Sequence, residues 1–95
     1  MKPTEYEQDL IEWLKDPENA AEYLNAAILE NDTVVMALAM RRVAAAQGGI
    51  ASLAQRANVK RERLYPVLSM RGSPTVGNLF TLLNSMGFRL SVQPK

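Results

Sequence analysis

A short basic segment, residues 60–65, carries the side chains best suited to chemistry in this sequence. Lys60, Arg61 and Arg63 are cations, and Glu62 and Tyr65 add an acceptor and a hydroxyl group. A guanidinium group binds phosphate, or the paired acceptors of guanine, as a two-pronged donor. Glu62 can accept from a cytosine amino group or, equally, complement a helix dipole. The segment indicates contact with nucleic acid, and its alternative role is a solvated helix end.

Further polar groups follow this segment along the chain. Hydroxyl, amide and guanidinium groups, together with free helix N–H groups, hold phosphate oxygens in protein–DNA contacts. The residues of this kind are Ser69, Arg71, Ser73 and Asn78. We expect them to contact the DNA backbone, and an ordinary loop role explains them equally well.

Two short helices joined by a tight turn would position the basic segment. The apolar residues on one face of the first helix are Ile50, Leu53, Ala54 and Ala57, and those of the second are Leu64, Val67 and Leu68. Asn58 can supply the turn between them, because asparagine tolerates the left-handed backbone conformation. The second helix then directs its basic side chains outward, as a helix in a DNA major groove requires. Residues 49–71 are therefore a helix-turn-helix candidate.

Pro66 lies within the second of these helices. It removes the hydrogen bond to the Glu62 carbonyl and pushes against the preceding turn. We expect the helix to be kinked or short at this point. The outward position of Pro66 also offers DNA a shape but no donor.

Charge divides the chain into two parts. Residues 1–32 contain nine acidic and two basic residues, a net charge of −7, whereas residues 33–95 contain nine basic residues and one acidic residue, a net charge of +8. This asymmetry predicts an acidic helical N-terminal arm (1–32) and a helix-turn-helix DNA-binding domain with a C-terminal strand (33–95). Alternatively, the acids only solvate a surface and pair with the bases of the same chain.

The remaining elements are mostly helices. Capping residues that can begin them are Thr4, Asp16, Asp32 and Thr75. We expect each of the later helices to turn one apolar face inward. The residues on these faces are Val35, Leu38, Ala39 and Val43 of the third helix and Val76, Leu79, Phe80, Leu83 and Met86 of the last. The alternation of residues 88–92 predicts a short half-buried strand. The expected fold class is all-α, with five to six helices and a short C-terminal β-strand.

The composition excludes most enzymes. The chain has 95 residues with no Cys and no His, so it lacks thiolates and the commonest general base and metal ligand. We expect no catalysis, no cofactor and no metal. No run of about 18 apolar residues would span a membrane, and no signal segment is evident. These features predict a cytoplasmic protein without a membrane partner.

From residue 15 to residue 92 the sequence resembles the antidote proteins of type II toxin–antitoxin modules, in the HigA-like group with a phage-repressor-type helix-turn-helix. The stretches that carry the resemblance are KDPENAAEYLNAA (15–27), LA (53–54), RERLY (61–65), LS (68–69), GSPT (72–75) and LSV (90–92). Three positions depart from the pattern. Asn58 replaces a usual glycine, Lys60 a small hydroxyl residue and Pro66 a polar or basic one. The first two leave the fold intact, whereas Pro66 puts a central base contact in doubt.

The resemblance implies a sequence-specific DNA-binding antitoxin with a phage-repressor-like fold. It would neutralise a RelE/ParE-like toxin and repress the shared operon as a homodimer on a double-stranded inverted repeat. The alternative is a stand-alone phage-type repressor without a toxin partner. The predicted strand would pair with its own copy or with the toxin's sheet edge, because an isolated strand leaves backbone groups unpaired.

We expect the acidic segment to face the toxin. Ribonuclease toxins of the resembled kind are basic because they approach RNA, and an acidic amphipathic helix matches both that charge and a hydrophobic groove. The apolar residues assigned to this contact are Tyr6, Leu10, Trp13 and Leu14. The alternative is that the first two helices pack on the body and complete its core.

Overall fold

The computed structural model describes residues 4–68 and 75–95, and every regular element within them is an α-helix. The helices are α1 (Glu5–Trp13), α2 (Pro17–Leu29), α3 (Thr33–Ala46), α4 (Ile50–Ala57), α5 (Arg61–Leu68) and α6 (Val76–Ser85). The prediction of an all-α chain with five to six helices is confirmed for these residues.

Side-chain caps begin four of the helices, at the positions that the sequence predicts. The capping residues are Thr4, Asp16, Asp32 and Thr75, and each side-chain oxygen accepts a backbone N–H of the first turn at 2.8–3.1 Å. Pro17 opens α2, where its missing N–H costs nothing. Local sequence therefore determines where α1, α2, α3 and α6 start.

α3 is the central helix and packs against α1, α2, α4 and α5. Its Met40 and Val43 are fully buried, and Leu14, Leu53 and Leu82 join them in one hydrophobic cluster. Fully burying a side chain of this size contributes about 1.5–3 kcal/mol. The cluster takes residues from both sides of position 32. The acidic and basic segments thus share one core, and their division into functional units stays a prediction.

Three residues expected in the core lie at the surface instead. Val35 is 38% exposed, Val76 is 64% exposed, and Phe80 is also exposed. The expectation for these three was wrong because both helices carry apolar residues on more than one face, so spacing alone does not single out the buried one. As a result, α3 and α6 both carry apolar side chains that face solvent.

The C-terminal strand is a second correction, since residues 88–92 form no strand in the described part of the chain. Gly87 has φ +87° and ends α6, so that the Phe88 N–H donates to the Leu83 carbonyl at 2.8 Å. Phe88 packs against the core, a contact that usually accompanies this helix ending. Its apolar side chain therefore closes α6 rather than starting a strand. Pairing of residues 88–92 with another chain stays a prediction.

Within the described ranges no single helix is long and apolar enough to cross a membrane. α3 and α4 meet that criterion only together, as a pair bent by 82°.

Candidate nucleic-acid interface

The turn between α4 and α5 has the left-handed residue that the sequence predicts. Asn58 has φ 56° and ψ 44°. Its N–H donates to the Gln55 carbonyl at 3.2 Å, and the Val59 N–H donates to the Ala54 carbonyl at 3.0 Å. This pair of bonds satisfies the last carbonyls of α4, in the manner of a Schellman ending. Because Val59 also packs against the core, the direction in which α5 leaves the turn is fixed.

α4 and α5 stand on a buried platform. Leu53 and Leu64 are fully buried, and Ala54 and Val67 are nearly so. Both helices also pack against α6 and against α3. A surface built on such close-packed elements keeps its geometry when a ligand approaches.

The side chains predicted to contact DNA lie at the exposed start of α5. Lys60, Arg61, Glu62, Arg63 and Tyr65 are all exposed, and among the described residues none of them forms an ion pair. Residues 60–63 have a net charge of +2. The first turn of a helix also presents free N–H groups and the positive end of the helix dipole. These features combine into a surface that attracts anions.

Pro66 is exposed within α5, which extends over eight residues. Helical structure continues past Pro66 to Leu68, the last described residue before 75, so the expectation that proline kinks or shortens this helix stays a prediction. Glu62 lies in the exposed first turn of α5, and both of its predicted roles stay open.

Of the four other residues predicted to contact phosphate, the structure describes one. Asn78 is half-buried in the first turn of α6, where its backbone N–H donates to the Thr75 hydroxyl at 3.1 Å. Ser69, Arg71 and Ser73 lie outside the described residues.

Arg42 has a structural contact that the sequence did not indicate. It donates to the Tyr23 hydroxyl at 2.9 Å and to the Glu7 carboxylate at 3.3 Å. The Tyr23 hydrogen bond is the main cause of a raised Arg42 pKa. Burial, the second-largest effect, acts to lower the pKa, and Glu7 adds a further contribution that raises it. The partners lie 19 and 35 residues away, so no local pattern could have revealed the contact. Arg42 joins α1, α2 and α3 and is not free for DNA.

The four residues assigned to the toxin contact separate into two groups. Tyr6 is 73% exposed and Trp13 is also exposed, whereas Leu10 is half-buried against the core. Leu14 is 1% exposed inside the core cluster. Its assignment to a surface contact was therefore wrong in this fold, because the side chain anchors α1 to the body.

The chain has recognisable relatives. The family model described as "probable addiction module antidote protein" matches residues 4–94. A protein of Haemophilus influenzae, described as an uncharacterized protein, is 28% identical over 85 residues, which cover 90% of this chain and 87% of that protein. No solved structure gives a significant match. Since the family model spans nearly the whole sequence, this chain belongs to the family of probable addiction module antidote proteins.

Proposed function

We propose that this protein is a cytoplasmic DNA-binding antitoxin, without catalytic activity, that neutralises a RelE/ParE-like toxin and represses its own operon. The observation that carries the DNA-binding part is the exposed, basic first turn of α5 on the buried α4–α5 platform. Membership of the antidote family supports the toxin partner.

We assign α4 and α5 to a helix-turn-helix unit. Its second helix would enter the major groove by its N-terminal turn, the end that carries Arg61 and Arg63. Arg61 is suited to a bidentate contact with guanine, and Lys60 to a phosphate. Tyr65 on α5 and Asn78 in the first turn of α6 would add further contacts to DNA. Because one short helix reads only a few base pairs, the operator would be an inverted repeat bound by a homodimer.

The exposed face of α6 supports self-association. Val76 and Phe80 lie four residues apart on the same helical face, and both are exposed. Residues 75–87 contain no charged side chain. In a two-fold interface the same patch meets its own copy, so a neutral apolar patch avoids the repulsion that like charges would create. The exposed C-terminal residues 89–95 would extend this contact.

The acidic face of α1 supports toxin binding. Tyr6 and Trp13 remain exposed beside the acids of the first 32 residues, whose net charge is −7. A toxin that acts on RNA carries a basic surface, and charge complementarity would bring the two proteins together.

Two measurements test this proposal. The first is a gel shift with the DNA upstream of the gene, with unrelated DNA of the same length as control. The second is co-purification with the product of the adjacent reading frame. DNA binding without a toxin partner would identify a stand-alone repressor, and a complex without DNA binding would identify a purely protein-binding antidote. Failure of both would reject the proposal.

A further inference from the structure

A groove between α2 and α3 lies outside both surfaces described above. One wall includes Tyr23 and Ala26 of α2 and Glu30 directly after it, and the α3 wall includes Val35 and Leu38. Arg42 closes one end, where it is hydrogen-bonded to Tyr23. Along each wall the first and last lining positions are seven residues apart, which corresponds to a length of about 10 Å, or two helical turns.

The groove is open and largely apolar. Its volume is about 250 Å³, whereas an apolar cavity of about 150 Å³ already holds a benzene molecule. Val35 lies 38% exposed in its wall, and Leu29, the last residue of α2, is 81% exposed. These side chains find no apolar cover within the described residues. The groove therefore has room for one or two aliphatic side chains of a partner.

Charge identifies the partner's chemistry. Residues 16–46, which include all of α2 and α3, contain five acidic residues and two basic ones, Arg41 and Arg42, a net charge of −3. Glu30 lines the groove and has no ion-pair partner among the described residues. At the opposite end the Arg42 cation already faces Glu7 and the Tyr23 hydroxyl. The unpaired charge at the groove is negative, which favours a basic occupant and disfavours a second copy of the same acidic surface.

We propose that this groove receives an amphipathic segment of the cognate toxin, with aliphatic side chains in the groove and Lys or Arg beside Glu30. The inference rests on the proposed antitoxin function and adds a second contact to that of α1. Such a segment would bind as a helix laid into a hydrophobic groove.

Ala26→Arg tests the groove with little risk to the fold. Ala26 is exposed, and arginine is nearly as good a helix former as alanine. The new side chain fills the groove and places a positive charge where a basic segment would lie. Asn25→Arg is the matched control, because it adds the same charge at the neighbouring exposed position outside the groove. The readouts are affinity for the purified adjacent gene product, thermal midpoint, operator affinity and mass in solution.

We expect Ala26→Arg to weaken toxin binding at least tenfold, while Asn25→Arg changes it less than threefold and both variants keep the wild-type midpoint and operator affinity. Equal binding by all three proteins, or equal weakening by both variants, would overturn the groove assignment and leave the antitoxin function intact. A change in oligomeric mass with Ala26→Arg would show that the groove holds a second copy and would also overturn it. If the wild-type protein does not bind the adjacent product, the antitoxin function itself fails.

Discussion

The α4–α5 region and the α1–α2 region present surfaces of opposite charge on one shared hydrophobic core. The first exposes cations at the start of α5, above buried Leu53 and Leu64. The second exposes aromatic and aliphatic side chains among acids, while Leu14 beneath α1 reaches the core. One surface suits a polyanion and the other suits a basic protein with apolar groups. The comparison teaches that opposite charge on two surfaces does not require two separately folded units.

The largest effect that we expect is a loss of stability when the shared core is disrupted. Leu14→Ala removes a fully buried side chain, so we expect a loss of about 2–5 kcal/mol in the free energy of unfolding of the whole domain. The measurement is urea unfolding followed by circular dichroism, in which a single transition should shift. Tyr6→Ala is the control, because Tyr6 is 73% exposed and an exposed substitution usually changes stability by no more than about 0.5 kcal/mol. If Leu14→Ala loosens α1 while the main transition stays in place, the acidic segment is a separate unit.

The next largest expected effect is on operator binding by the basic surface at the start of α5. Arg61→Ala should weaken operator binding by about 1–3 kcal/mol and relax sequence preference, if Arg61 makes a bidentate base contact. Lys15→Ala removes a charge from an exposed position outside the DNA-binding and dimer surfaces and should leave specificity unchanged. Competition binding with operator and scrambled DNA at fixed salt measures both variants. Undiminished specificity in Arg61→Ala would remove α5 from the role of recognition helix.

Each region also contains one left-handed asparagine, which allows a finer comparison. Asn58 has φ 56° and Asn31 has φ 55°. Replacing either by alanine should cost about 1 kcal/mol of stability, because a Cβ without a polar group is disfavoured there, whereas glycine should be tolerated. Only the Asn58 change should also reduce operator affinity in DNA-binding assays, since Asn58 sets the direction of α5. Equal DNA binding by Asn58→Ala and Asn31→Ala would show that the turn does not control the DNA surface.

Local signals account for the parts of the fold that could be predicted. Helix starts at Thr4 and Asp16, and the turn at Asn58, depend on residues within three or four positions of one another, and the structure has them as expected. Residues 88–92 show where a local pattern was insufficient, because the apolar alternation there belongs to a helix ending packed on the core. The buried position of Leu14 depended on distant packing in the same way.

The site could be predicted to a similar extent. The basic segment is contiguous in sequence, so its exposure on α5 followed from helical spacing. The α2–α3 groove and the Arg42 contact each combine residues from separate helices, and Val35 had been assigned to the core. Such sites arise only when the helices are assembled.

The smallest predicted effect concerns the contact that joins α1 to the central helix α3. Glu7→Gln removes the charge opposite Arg42, and because the two side chains are 41% and 23% exposed, solvent screens the pair and the expected cost is below about 1 kcal/mol. The difference in free energy of unfolding between wild type and variant should shrink as salt rises from low to high concentration.

The same contact predicts how stability depends on pH. The folded-state pKa of Arg42 is raised above its ordinary value. The stability that its charge contributes is therefore complete at every pH below that ordinary value and is lost only as pH rises through the folded pKa. Raising pH from neutral to mildly alkaline should therefore leave the contribution of Arg42 unchanged. Urea unfolding of both proteins across salt and pH measures this, and Glu12→Gln, which breaks the exposed pair with Lys15 at 2.7 Å, is the matched control. A larger loss with Glu7→Gln than with Leu14→Ala would mean that the ion pair, rather than the shared apolar core, holds the acidic region to the body.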